Sequence, residues 1–379
     1  MLYLDHAATS PVRPEVLEAM QPYLTGIFGN PSSHHTAGEA AASALEDARA
    51  RVASVLGMRR SDVIFTSGGT EANNLAVKGI VLGAFGSGRR DLVTTPIEHE
   101  SILASADHLE RLHGVGVTQV PVDSTGRVWP DVLAAALSDS TALVTFGHAN
   151  NEVGTVQDVS ALAAVAHARG AVVHLDAVQS AGWLALAGVG ADAISVAGHK
   201  LGAPKGTGAL AVRGRVALEP LLHGGGQERG RRSGTENVAG AVALAVALER
   251  AEAEREETAT RVALQTRRFI VGVLERVPNA ALTGDPVVRL PGTASFTFAG
   301  TSGEAVLLEL ERRGVITSSG SACAAGSDAP SHVLLACGVA PEVAQTSVRF
   351  TFDRTALPEH APDRLAGLVA DAVAAVTGS

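Results

Sequence analysis

The sequence contains very little cysteine. Only Cys323 and Cys337 occur among the 379 residues, and they form no CxxC pair. A disulfide scaffold needs much denser cysteine usage, and zinc sites built on paired cysteines need closely spaced ligands. The sequence therefore argues against a disulfide scaffold and against a zinc site of paired cysteines. It predicts a reducing compartment, which we expect to be the cytoplasm.

Runs of a single charge and long apolar runs are also missing. The formal net charge of −9 is spread along the chain, without the basic run that marks a nucleic-acid or anionic membrane surface. Apolar stretches such as Ala239–Leu248 stop well short of the ~20 residues that span a bilayer. Residues 1–6 do not resemble a secretory signal. We expect a soluble protein that acts on a small molecule.

Alternating segments dominate what the sequence does contain. A chain of 379 residues, 46% of them hydrophobic, can bury the cores of two domains. Between about residues 60 and 215, short β-branched runs alternate with Ala-rich helical stretches, which predicts an α/β domain. Its mostly parallel sheet would carry helices on both faces and functional loops at the carboxyl ends of its strands. The predicted strands are Val63–Thr66, Asp91–Thr95, Gly116–Val120, Ala142–Phe146, Ala171–Asp176 and Ala193–Val196.

The C-terminal part has a different pattern. Asn237–Leu274 lacks proline and is dense in Ala, Leu, Glu and Arg, which predicts one or two long helices that cross between the domains. The strand-like segments Ala294–Phe298 and Val348–Phe352 are accompanied by helical segments and predict a smaller α+β unit. No internal repeat or Gly/Ser linker is present in the sequence.

The sharpest local signal surrounds Lys200. This lysine follows the apolar strand Ala193–Val196 and precedes the Pro and Gly loop Leu201–Gly208. A lysine confined at the end of a strand is suited to forming a Schiff base and to moving a proton. A solvated surface lysine is the alternative, and for a lone lysine it would be preferred.

Asp176 changes that preference. It ends another apolar strand, where burial of a carboxylate without a partner is costly. A protonated pyridine nitrogen of a cofactor would be such a partner, and the pair would keep the ring cationic as an electron sink. The alternative is an aspartate that caps the next helix, which leaves the neighbouring Gln179 unexplained.

A third signal is the segment Ile64–Asn74, in which a strand runs through small residues into a helical stretch. Backbone N–H groups at a helix N-terminus form a phosphate cradle, to which Thr70 adds a hydroxyl. Ser/Thr-Gly turns often only cap helices, so the segment is weak evidence alone. It lacks the Gly-Lys-Ser/Thr ending of a nucleotide-binding loop, which argues against an ATPase or GTPase.

Polar clusters follow two further strands, Pro96–Glu100 and Gly147–Gly154. An imidazole can stack on an aromatic cofactor, and an Asn amide can hydrogen-bond a ring oxygen. Each cluster alone would be an ordinary loop. Together they recur at the same end of the predicted sheet.

The two cysteines have different surroundings. Cys323 lies in Thr317–Ser327, a segment of small residues that predicts a mobile, exposed loop. A thiol in such a loop can reach a substrate and transfer the group it has received to a partner. Cys337 follows a helical pattern and is predicted to be a small buried hydrophobic residue.

Taken together, these motifs resemble the cysteine desulfurases of the NifS/IscS type, within the class V aminotransferase-like, fold-type I enzymes that use pyridoxal phosphate. The resemblance covers essentially the whole chain. It implies a large domain at residues 14–255 with a seven-stranded sheet, and a small domain at residues 1–13 and 256–379 that carries the cysteine loop. Its further motifs are Tyr3–Thr9, Phe28–His34, Gly224–Asn237 and Ser347–Phe350.

The resemblance implies a role for each site residue. Lys200 would hold pyridoxal phosphate as a Schiff base, Asp176 would pair with the ring nitrogen, and Gln179 would contact the ring oxygen. The implied cofactor-binding residues are Gly69, Thr70, His99, Asn151, Asp176, Gln179, His199, Lys200 and Thr235. Among these, His99 would stack on the ring, and Thr235 would come from the second subunit of a homodimer.

The implied substrate is L-cysteine, bound by Asn151 and by a bidentate clamp from Arg349. Catalysis would rest on Lys200, Cys323 and His99, and would leave L-alanine and a persulfide on Cys323. The sulfur would pass to acceptor proteins such as an iron–sulfur scaffold, with neither nucleic acid nor membrane as a direct partner.

The residues before Cys323 favour the longer-loop branch of this family. One departure is Ala197, which stands where a phosphate-binding Ser is common. Two alternatives stay open: a lyase or aminotransferase that uses the same cofactor, and a non-catalytic scaffold that docks sulfur acceptors. The sequence does not decide the acceptor pathway or activity on selenocysteine.

Overall fold

The computed structural model describes residues 1–319 and 329–378. The strands are β1 Leu2–Tyr3, β2 Val63–Thr66, β3 Asp91–Thr94, β4 Val117–Gln119, β5 Thr141–Gly147, β6 Val172–Asp176, β7 Ala193–Ala197, β8 Gly208–Val212, β9 Ala280–Leu282, β10 Thr293–Phe298, β11 Val315–Ile316 and β12 Ser347–Thr351. The α-helices are α1 Pro14–Met20, α2 Pro22–Thr25, α3 Thr36–Leu56, α4 Gly69–Gly83, α5 Glu100–His113, α6 Pro130–Ala136, α7 Val159–Ala168, α8 Val238–Ala253, α9 Arg255–Arg276, α10 Gly303–Arg312, α11 His332–Ala336, α12 Pro341–Ala344 and α13 Ala361–Thr377.

Seven strands form the central sheet, in the order β2-β8-β7-β6-β5-β3-β4. The neighbours from β7 to β4 are parallel, whereas β8 is antiparallel to both β2 and β7. The predicted mostly parallel α/β sheet is therefore confirmed, and every strand predicted in it lies within one residue of its observed bounds.

Strand β8 was absent from the predicted strands. Gly208, Ala209 and Ala211 are poor strand formers, so the local pattern carries little signal. The structure pairs this segment with β2 on one side and β7 on the other, and all five of its residues are buried. This segment is a strand because it pairs with its two neighbours, and local residue propensity carries no information about that pairing.

Helices cover both faces of the sheet, because successive strand residues point to opposite sides. Leu143 packs in a core with helices α4 and α5, whereas the next residue, Val144, packs in a core that includes α3, α7 and α8. The helices thus bury both sides of each central strand and leave the strand ends for function.

A second core surrounds the three-stranded antiparallel sheet β12-β10-β9. Phe269 of α9 lies edge-on to Phe350, with ring centroids 5.0 Å apart, and Leu4 joins this core from the N-terminus. The prediction of one or two long helices is confirmed, since the structure has two: α8 is buried in the large core, and α9, which begins after Glu254, packs in the small one. This change of core supports the division at residue 255, which stays a prediction.

No helix in the described part of the chain is both long and apolar enough to cross a membrane.

Candidate active site

The carboxyl ends of β5 and β6, the start of α4 and the N-terminal segment meet around a cavity of about 370 Å³. Ligands of open α/β sheets bind at this edge of the strands. The structure places nine of the predicted site residues on the wall of this one cavity. These are Gly69, Thr70, His99, Asn151, Asp176, Gln179, His199, Lys200 and Arg349.

Of the two remaining predicted site residues, only Thr235 is among the described residues. Thr235 lines a separate cavity of about 210 Å³, beside Thr207 and Asn237, so its action in a partner's site stays a prediction. Cys323 lies outside the described residues. The predicted burial of Cys337 is confirmed: burial, with the charges of nearby carboxylates adding, raises the pKa of its thiol to about 11.

Lys200 ends a short 3₁₀ turn that follows strand β7. Its Nζ donates hydrogen bonds to the backbone carbonyls of Ala7 and Ala8, the latter at 2.7 Å. Gln179 Nε2 donates to the same Ala7 carbonyl at 3.1 Å. Lys200 is half-buried, so the alternative of a fully solvated surface lysine does not hold.

Asp176 sits at the end of β6 and is only 9% exposed. Its Oδ2 accepts a hydrogen bond from Asn73 Nδ2 at 2.7 Å, and its Oδ1 accepts one from the Val178 backbone N–H at 2.9 Å. The residues that follow form turns, so the alternative of a helix cap is wrong. The carboxylate is held by two donors at the cavity wall.

The start of α4 forms an open cradle. Gly68, with φ of 153°, precedes the helix and gives it no side-chain cap. A Cβ on Gly69 would lie 2.7 Å from Val178 Cγ2, so only glycine leaves this position free. The first-turn N–H groups of a helix have no partners within it and attract anions. The predicted strand-to-helix phosphate cradle is thus present in geometry, with Ala197 beside it and no hydroxyl there.

Two histidines flank the cradle and the cavity. His199 Nδ1 lies 3.2 Å from Thr9 Oγ1. Burial, with the charges of Lys200 and Lys205 adding, lowers the pKa of His199 to about 4, so the ring is neutral at pH 7. His99 caps helix α5, because its Nδ1 accepts a hydrogen bond from the Ser101 backbone N–H at 3.0 Å.

Arg349 reaches the cavity from β12 and is 3% exposed. One terminal nitrogen donates to the Asn151 carbonyl at 2.9 Å, and the other donates to Asp5 Oδ1 at 2.8 Å. Its Nε is buried without a hydrogen-bond partner among the described residues. The two predicted substrate residues are thus in direct contact, and these two bonds use two of the five guanidinium N–H groups.

Sequence reasoning missed Glu98, although it pointed to the cluster that contains it. The side chain is buried at the cavity wall, where Gly147 N–H donates to its Oε2 at 2.7 Å. Burial, with the negative charge of Asp176 adding, raises the pKa of Glu98 to about 8. The only sequence signal was a carboxylate directly before His99.

Asn73 and Ser101 were also missed, and both line the cavity. Asn73 lies three residues after Thr70 in α4, which places the two on one helix face. That spacing was visible in the sequence, but the partners of Asn73 come from distant segments. In the described part of the chain, no cluster of three or more His, Cys, Asp or Glu side chains could hold a metal ion.

Comparison with known proteins places this geometry in a family. The model of the family Aminotransferase class-V matches residues 2–359. The chain belongs to the class-V aminotransferase family.

The chain is 42% identical over 352 residues to the cysteine desulfurase IscS of Dictyoglomus turgidum, and the match covers 92% of this chain and 89% of that protein. Its fold matches a solved NifS-like protein with a TM-score of 0.90 and 34% identity over 98% of both chains. It also matches SspA in complex with cysteine, with a TM-score of 0.81 and 34% identity over 94% of this chain and all of that one. The predicted fold type and the resemblance to NifS/IscS-type proteins are confirmed.

Proposed function

We propose that this member of the class-V aminotransferase family is a cysteine desulfurase, which uses pyridoxal phosphate to remove sulfur from L-cysteine and yields L-alanine. The observation that carries the proposal is the convergence of nine predicted residues, Lys200 and Asp176 among them, on one cavity. The similarity to a cysteine desulfurase and to a protein bound to cysteine supports the substrate.

The described residues fit the cofactor. The cradle at Gly69 and Thr70, with the neutral His199, suits a phosphate group, because open N–H groups and a hydroxyl are available there. Asp176 suits a protonated ring nitrogen, and Gln179 suits the ring oxygen. Bound pyridoxal phosphate supplies an electron sink for negative charge at the substrate Cα.

The side chains of the site divide the remaining work. Arg349 binds the substrate carboxylate, and Asp5 and the Asn151 carbonyl orient its guanidinium. Lys200 Nζ takes the proton from the substrate Cα and can return it to the substrate. The Ala7 and Ala8 carbonyls give this amine a resting position at the cavity.

Cys323 receives the sulfur. Its thiolate attacks the sulfur of cysteine, so that a sulfur–sulfur bond forms while the carbon–sulfur bond breaks. Cβ keeps that electron pair and gains a proton, which makes the methyl group of alanine, so the step needs no external reductant. The persulfide passes to acceptor proteins, such as an iron–sulfur scaffold, and the enzyme acts as a homodimer in the cytoplasm.

The test uses purified protein with pyridoxal phosphate and L-cysteine. Wild type is expected to release alanine in proportion to persulfide. Lys200→Ala should lose the yellow absorbance of the bound cofactor, and the matched control Lys205→Ala should keep it. Cys323→Ser should bind cofactor and cysteine yet form almost no persulfide.

Each alternative has its own outcome in this assay. Full sulfide release by Cys323→Ser contradicts the role of Cys323. Keto-acid formation instead of alanine points to an aminotransferase. Protein that stays colourless after addition of pyridoxal phosphate points to a scaffold.

A further inference from the structure

One buried amide connects two of the groups at the cavity wall. Asn73 is 2% exposed, and its Nδ2 donates to Asp176 Oδ2 at 2.7 Å and to Ser101 Oγ at 2.9 Å. It thereby joins helix α4 to the end of β6 and to the first turn of α5.

The orientation of this amide follows from its partner. An ionised carboxylate only accepts hydrogen bonds, so Asn73 must present its nitrogen to Asp176. That orientation leaves Asn73 Oδ1 buried without a hydrogen-bond partner among the described residues. An unpaired buried acceptor is costly, and a charge-assisted bond to Asp176 offsets that cost. Asn73 therefore holds the Asp176 carboxylate even though its own amide oxygen lacks a hydrogen-bond partner among the described residues.

Asn73 has two hydrogen-bonded branches: one is its bond to Asp176, and the second leads through Ser101 to His99. Because Ser101 Oγ accepts from Asn73, its own proton is available to His99 Nδ1, which lies 2.8 Å away. The same nitrogen accepts the Ser101 backbone N–H. The ring of His99 is therefore held from one edge by Ser101, and Ser101 is held in turn by Asn73.

We propose that Asn73 is a positioning residue, which fixes the carboxylate of Asp176 and, through Ser101, the ring of His99 in one arrangement. The inference rests on the proposed function, in which these two groups contact the cofactor ring. Hydrogen bonds to a directly acting group commonly set its position and charge state. Asn73 accordingly controls how Asp176 meets the ring nitrogen without touching the reacting atoms.

Two substitutions separate the branches. Asn73→Asp keeps the shape but places a second carboxyl against Asp176, so that the two must share a proton. Ser101→Ala removes the hydroxyl that leads to His99 and leaves the bond between Asn73 and Asp176 intact. The matched control is Asn74→Asp, the same change at the next residue of α4, whose Nδ2 donates to the Thr70 carbonyl and whose Oδ1 accepts from Lys78 Nζ.

The measurements use the full-length protein and pyridoxal phosphate, without cysteine. Titration of cofactor-free protein gives the affinity for pyridoxal phosphate, and the visible absorbance of the bound cofactor as a function of pH gives a midpoint. Asn73→Asp should lower the affinity roughly tenfold or more, as expected for loss of a hydrogen bond to a charged group. It should also shift the midpoint by about one pH unit, because the charge facing the ring nitrogen changes.

Ser101→Ala should lower the affinity and leave the midpoint at its wild-type value, and Asn74→Asp should change neither. A merely structural role of Asn73 would lower thermal stability without moving the midpoint. If Asn73→Asp does not fold, Asn73→Ser, which is too short to reach both partners, is measured in its place with the same expected directions.

Wild-type affinity and midpoint in the Asn73 variant would overturn the proposal, and so would an equal change in Asn74→Asp. These outcomes need bound pyridoxal phosphate but do not depend on the desulfurase reaction, because no cysteine is present in the measurements. A protein that makes no alanine from cysteine but shows the expected shifts would refute the desulfurase activity and leave the role of Asn73 standing.

Discussion

Glu98 lies in an environment far from that of an ordinary, solvated glutamate. Burial, with Asp176 nearby, raises its pKa from 4.5 to about 8. The folded protein therefore binds a proton at pH values where the unfolded chain has lost it. The resulting contribution to stability is complete below pH 4.5 and is lost as the pH rises to about 8, by at most about 5 kcal/mol.

Glu98→Gln tests this directly, because a neutral amide of the same shape can stay in contact with the Gly147 N–H and the Thr95 hydroxyl. We expect the variant to lose less unfolding free energy than wild type between pH 5 and pH 9, measured by urea denaturation. Glu100→Gln, at an exposed position two residues away, is the control and should follow the wild-type curve. Parallel curves for Glu98→Gln and wild type would contradict a proton on Glu98.

Asp5 and Arg349 form an ion pair in which the arginine is buried and the aspartate is partly buried, with Asp5 Oδ1 2.8 Å from the guanidinium. Asp5→Asn keeps the shape and leaves the buried positive charge without its counter-charge. We expect the free energy of unfolding to fall by about 3 kcal/mol, the usual cost of breaking such a pair.

The control is Asp47→Asn, which breaks an exposed pair with Arg51 and should cost less than about 1 kcal/mol. Equal losses in the two variants, measured by denaturation at pH 7, would mean that the buried pair adds nothing beyond an exposed one.

The sequence predicts the positions of some strands and helices better than those of others. Strands rich in β-branched residues, such as Val63–Thr66, were predicted at their observed bounds, because burial on both faces leaves a continuous apolar run. Strand β8 was not, because its Gly and Ala residues become a strand only between β2 and β7. Asn73 was missed for the same reason: its partners Asp176 and Ser101 are distant in the sequence.

The start of α4 is the element on which the phosphate cradle depends. In Gly69→Ala, the new Cβ would stand 2.7 Å from Val178 Cγ2, so Val178 or the helix must move. Overpacking of this kind costs about 1–3 kcal/mol, and we expect both the unfolding free energy and the affinity for pyridoxal phosphate to fall. Denaturation and cofactor titration measure the two effects.

Gly86→Ala is the matched control for this change. A Cβ there meets nothing within 4 Å, so neither quantity should fall. Unchanged cofactor affinity in Gly69→Ala would show that the cradle tolerates a side chain and would weaken its assignment to phosphate.

At the scale of the whole molecule, the cavity draws on both cores. Arg349 comes from the small sheet, Lys200 and Asp176 come from the large one, and the carbonyls of the N-terminal segment bind Lys200. The sequence predicted the members of this site through motifs at strand ends and through the family resemblance. It did not predict the contacts among them, since these depend on how the two cores pack.

Buried histidines give the whole molecule a pH dependence opposite to that of Glu98. His174 is fully buried between Thr145 Oγ1 and Ser195 Oγ, and burial lowers its pKa from 6.5 to about 3. Between these two pKa values, His174 therefore carries a proton in the unfolded chain but not in the folded protein. The contribution of His174 to the free energy of unfolding is complete above pH 6.5. It is lost as the pH falls towards about 3, by at most about 5 kcal/mol.

His148 and His199, whose pKa values burial lowers to about 4, act in the same direction, so we expect unfolding free energy to fall steeply below pH 6. His174→Gln removes the titrating group, so its curve between pH 7 and pH 4.5 should be shallower than that of wild type, even if packing makes it less stable at pH 7. The exposed His113→Gln should keep the wild-type slope. Denaturation at a series of pH values decides the matter: equal slopes for His174→Gln and wild type would mean that the buried ring is not what makes the folded protein sensitive to acid.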